Sequence, residues 1–77
     1  MKAESLIEML ADRPFVPLRI HLNDGRSHDV THPELAIVSR DMVAIGVVSD
    51  DDKVPERLRF CTLQNITEVE RVPQRQA

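Results

Sequence analysis

Four residues have side chains whose types could carry chemistry: His21, His28, His32 and Cys61. Imidazole nitrogens and thiolates are common zinc ligands, and a cysteine beside a histidine can act as a nucleophile. The spacing works against both. A metal site needs three or four converging ligands. Alternation along 16–30 sends His21 and His28 to opposite faces, and His28-x-x-x-His32 would suit a helix where the local pattern is strand and turn. The plainer readings are an exposed strand position for His21, a place at the margin of the core for His28, a turn position before Pro33 for His32, and a packed, inert thiol for Cys61. No catalytic, metal-binding or cofactor-binding residue is assigned, and the chain reads as a non-enzyme.

Charged residues offer two further candidates. Asp50-Asp51-Asp52 could draw a divalent cation, but the alternating ligands, central glycine and closing glutamate of a calcium loop are missing, so a solvated loop is expected. Arg19, Arg26, Arg40, Arg57 and Arg59 could form a basic face, with Arg26 and Arg40 beside turns and free to project together against a nucleic acid. The plainer reading pairs them with nearby acids. A net charge of −3 and a pI near 5.5 weigh against phosphate-backbone binding as the main task. Phe15 and Phe60 are the only aromatic residues, which is few for a single-strand binder that stacks bases.

The elements that must position these groups are mostly strands. Val16, Leu18, Ile20 and Leu22 alternate with Pro17, Arg19 and His21, and Asn23-Asp24-Gly25 breaks the run. A two-residue turn at Asp24-Gly25 would bury Asp29 and expose Val30. A three-residue loop with Gly25 left-handed pairs Leu22 with Arg26, sets Leu18 opposite Val30 inside, and sets Arg19 opposite Asp29 outside. Burial of Val30 decides for the second register.

Before the hairpin, Ala3, Leu6, Ile7 and Leu10 make one apolar stripe, so a helix is expected over 3–12, stopped by Pro14. The lead-in 13–17 is extended, with Phe15 anchoring helix to sheet. After Val30, Pro33 opens a tight turn or one helical turn. Leu35–Val38 reads as a short strand and Ser39-Arg40-Asp41 as a turn. Met42–Val48 is a strand that is apolar on both faces: Val43, Ile45 and Val47 on one, Met42, Ala44, Gly46 and Val48 on the other. A sheet wetted on one side would show polar residues there, so the second face must meet something. Arg57–Leu63 alternates, with Leu58 and Phe60 expected inside and Arg57 and Arg59 outside. Leu63–Ile66 suits a 3₁₀ turn, and 67–72 is the last strand.

At 77 residues the chain is one domain, spanning 1–73, with 74–77 expected as a disordered tail. Its size leaves a single core marginal, and one cysteine allows no internal disulfide, which suits a reducing compartment. No apolar run approaches the roughly 18 residues of a membrane span, and the acidic N-terminus is unlike a signal peptide. A cytoplasmic location with no membrane partner is therefore expected.

The segment Arg13-Pro14-Phe15-Val16-Pro17-Leu18-Arg19-Ile20-His21-Leu22-Asn23-Asp24-Gly25-Arg26, with His32-Pro33-Glu34-Leu35 after it, resembles a group of small bacterial proteins of unknown function. Those share an Arg-Pro-Phe-x-Pro-Phe-Arg-Ile-His-Leu-x-Asp-Gly-Arg run and a later His-Pro-Glu. The resemblance implies bacterial origin and carries over no functional residue. The element order is also similar to the Sm-like fold. That fold's glycine in its second strand is replaced by Asp29-Val30-Thr31, and its Arg-Gly or Lys-Gly by Cys61-Thr62-Leu63, so its RNA-binding residues do not transfer.

Taken together, the chain is expected to be mostly β with one N-terminal helix, folded as a small, strongly bent, five- or six-stranded antiparallel barrel of Sm-like or SH3-like form. Its expected function is non-enzymatic self-association into a homo-oligomer, with Met42, Ala44 and Val48 as candidate interface residues. The alternative is an Sm-like RNA-binding ring using Arg26 and Arg40.

Overall fold

In the computed structural model, which describes residues 1–48 and 54–73, the hairpin forms in the register that burial favours. Strand β1 (Leu18–Leu22) pairs antiparallel with β2 (Ser27–Val30), with Leu18 opposite Val30 and Arg19 opposite Asp29. Leu18, Ile20 and Val30 are fully buried. Arg19 reaches Asp29 through two N–H donors, Nε at 2.8 Å and Nη2 at 3.1 Å, and the carboxylate strengthens the hold of that guanidinium on its proton. At the tip, the Gly25 amide donates to the Leu22 carbonyl and the Leu22 amide to the Arg26 carbonyl. Gly25 has φ +89°, where a side chain is strained even though a Cβ there would meet no atom within 4 Å. Gly25→Ala therefore isolates the backbone penalty. It should cost about 1–2 kcal/mol and lower the urea midpoint, and an unchanged midpoint would mean the loop relaxes to another turn.

The remaining chain builds a second layer. Helix α1 (Ala3–Leu10) ends two residues short of the expected boundary, as Ala11 turns to cap it. Eight residues cannot hold a helix alone. Leu6, fully buried, fixes it to the core, with Ala3, Met9 and Leu10 packing beside it. Phe15 also packs against the core from the lead-in. Pro33 starts a 3₁₀ turn (Pro33–Leu35) that leads into β3 (Ala36–Val38). Ser39 closes the next turn, its Oγ accepting the Met42 amide at 3.1 Å. Strands β4 (Met42–Val47) and β5 (Arg57–Thr62) follow, then a 3₁₀ turn (Leu63–Asn65) and β6 (Ile66–Arg71).

The six strands form two antiparallel three-stranded sheets, ordered β2-β1-β6 and β3-β4-β5. Among the described residues no strand pairing joins one sheet to the other, so closure into a barrel is not seen. The sheets meet across a core of Leu6, Leu18, Ile20, Val30, Val43 and Ile45, lined further by Cys61, Leu63 and Ile66. None of the described helices is long and apolar enough to cross a membrane. The expected acidic loop at Asp50-Asp51-Asp52 and the tail 74–77 lie outside the described residues.

One expectation is reversed. Leu58 and Phe60 do not face the core. Their cross-strand partners are Gly46 and Ala44, whereas Arg59 and Cys61 stand opposite the buried Ile45 and Val43. Period-two alternation says which residues share a side and is silent on which side is covered. Here the core beneath β5 is reached through Cys61 alone. Arg57 and Arg59, on that same side, overhang the end of the core and stay exposed.

Candidate functional site

The reversal places an uncharged surface on the outside of the second sheet. Reading across the strands, Ile37, Ala44 and Phe60 form one row and Met42 and Thr62 another. Gly46 and Leu58 form a third row. A Cβ built on Gly46 would lie 3.1 Å from Pro55 Cβ and 3.3 Å from Leu35 Cδ2, so those two side chains roof that end. The rest is open: Ile37 is 74% exposed, Phe60 65%, Leu58 53% and Met42 38%. Scattered exposed aliphatics are ordinary, but four adjoining ones on one sheet face are a patch. The strand residues of this face, Ile37, Met42, Ala44, Gly46, Leu58, Phe60 and Thr62, carry no charge.

Of the three residues expected at an interface, Met42 and Ala44 lie on this face. Val48, half-buried, follows the end of β4 and lines a separate depression with Arg19, His21 and Thr31. The strongest members of the patch, Ile37, Leu58 and Phe60, were not expected there. The signal that could have found them is the register: once β4 is apolar on both sides, its neighbours' outward residues extend whichever side is uncovered.

The histidines and the cysteine are spread more widely. His21 Nε2 lies 3.0 Å from Glu70 Oε1 on β6. His32 Nδ1 lies 3.2 Å from Thr31 Oγ1. His28, opposite Ile20, turns toward the margin of the core, and burial, then Arg59 and Arg26, lower its pKa. Cys61 is buried, and burial pushes its thiol above the ordinary value, away from the thiolate that nucleophilic attack requires. His28 and Cys61 do line one cleft, but no hydrogen bond joins them. Among the described residues no three His, Cys, Asp or Glu side chains gather as metal ligands would.

Arg26 and Arg40 line different clefts. Arg26 stands at the hairpin tip, its Nε donating to Asp24 Oδ2 at 2.7 Å, and Asp24 is held below the usual carboxylate range by the backbone and side-chain donors of Arg26. Arg40 lies in the β3–β4 turn beside Met1, Ile7 and Leu63. No family model, curated protein or solved structure matches the chain.

Proposed function

We propose that the protein is a self-association module whose homodimer forms by apposition of the uncharged outer faces of β3-β4-β5. The observation that carries this reading is the open patch of Ile37, Met42, Leu58 and Phe60. Scaled by ordinary side-chain areas, those exposures amount to roughly 450 Å² of apolar surface. A standard interface buries about 800 Å² per partner, and in homodimers about 65% of it is apolar, roughly 520 Å². The patch supplies most of that requirement.

A two-fold dimer sets each surface against its own copy. A charged face would then meet like charges, whereas this one meets none. The size of the chain points the same way, since a domain of 77 residues has little core to spare and burying a second surface stabilises it by mass action. The RNA-binding ring finds less support, because Arg26 and Arg40 line different clefts and so do not present one basic face. Sedimentation equilibrium at micromolar concentration should give twice the chain mass. A monomer over that range would end the proposal.

A further inference from the structure

A second site lies along the outer edge of β5, where residues of both its faces contribute: Leu58, Phe60 and Thr62 from the patch side as well as Arg59 and Cys61. Because Arg59 points to the core side of the sheet but overhangs the end of the core, the two sheets gape there instead of closing. The gap is a cleft of about 290 Å³ between the hairpin tip and β5, with Leu22 and Cys61 among its lining. Arg59, Arg26, His28, Asn23 and Asn65 also line it. The walls are tied together: the Asn23 amide donates to the Asn65 carbonyl at 2.8 Å, and the two side-chain amides are 3.4 Å apart.

We propose that this cleft binds a small phosphate-bearing anion, held by the guanidinium groups of Arg59 and Arg26. Two guanidinium groups stand against one carboxylate, that of Asp24. Asp24 accepts from Arg26 Nε and from the Arg26 backbone amide, and among the described residues the terminal Nη groups of Arg26 make no hydrogen bond. Arg59 makes no ion pair among the described residues. Planar guanidinium forks match tetrahedral oxyanions, and amide side chains add donors. Cys61 stays a neutral thiol, so it adds no competing charge.

The groups facing His28 report the sign of the local field. Burial is the largest influence on its imidazole. Arg59 and Arg26 then disfavour the imidazolium more than Asp24 and Asp29 favour it. At His28 the two guanidinium groups thus outweigh the two carboxylates. A bound anion must therefore raise the His28 pKa, and by linkage it must bind more tightly as pH falls and His28 takes up its proton.

Histidine titration followed by NMR on the full chain tests this. Sulfate serves as the tetrahedral probe because its charge is constant between pH 5 and 8, and sodium chloride at equal ionic strength is the control. His28 should titrate at higher pH in sulfate than in chloride, with His21 and His32 moving little. Inorganic phosphate at pH 7 should bind the wild type about tenfold or more tightly than Arg59→Met, while Arg40→Met, altered in a different cleft, keeps wild-type binding. His28 titrating alike in both salts would overturn the site. So would equal weakening by Arg40→Met, which would mean that surface charge alone attracts the ion.

Discussion

Phe60→Asp should convert the protein to a monomer while leaving its fold intact. Phe60 sits mid-patch with 65% of its surface open, so the isolated chain loses little when it is replaced. In the proposed dimer the same position would lie near the centre of the interface, where aromatic anchors typically contribute about 2–4 kcal/mol and where an unpaired carboxylate would add a desolvation penalty. The dissociation constant should rise at least about a hundredfold, equivalent to about 2.7 kcal/mol. Sedimentation equilibrium reads the mass. Thermal scans at several protein concentrations read the coupling, since the midpoint of a dimer rises with concentration and that of the variant should not. A variant that stays dimeric with the wild-type constant would place the contact elsewhere.

The largest effect on the monomer should come from Leu18→Ala. Leu18 is 1% exposed and stands opposite Val30, at the position where the hairpin meets the core. Removing a buried leucine side chain costs about 2–5 kcal/mol, the upper part of that range applying where neighbours cannot collapse into the space. A chain of this length has only about 4–12 kcal/mol in total, so the variant should melt roughly 10–30 °C lower. The double variant with Val30→Ala adds a sharper test. If the two side chains share one interior, their losses should be non-additive by about 0.5 kcal/mol or more. Independent losses would mean that Leu18 and Val30 are not neighbours.

These two residues also show why some of the fold was legible. The hairpin register follows from local competition: one loop length buries Val30 and the other buries Asp29, and the difference is large enough to decide. The turns at Pro33 and Ser39 were equally local, each set by one residue type at one place. Leu58 and Phe60 were misassigned because their side depends on where the first sheet ends beneath β5. That is a distance between elements far apart in the chain, and alternation carries no trace of it. Meeting of sheet edges is likewise a global property, and six strands with tight turns fit two stacked sheets as well as a barrel. The cleft joining His28 with Arg59 and Cys61 was out of reach for the same reason, since more than thirty residues separate its two walls.

Strand β6 bounds how far assembly can go. It pairs with β1 on one side and presents Thr67, Glu68, Glu70 and Arg71 to solvent at the rim of the first sheet. Charged side chains on an edge strand disfavour addition of a further strand there. If the second sheet is covered in the proposed dimer, the charged β6 rim leaves assembly there disfavoured, and concentrated solutions of the protein should remain clear rather than form fibres.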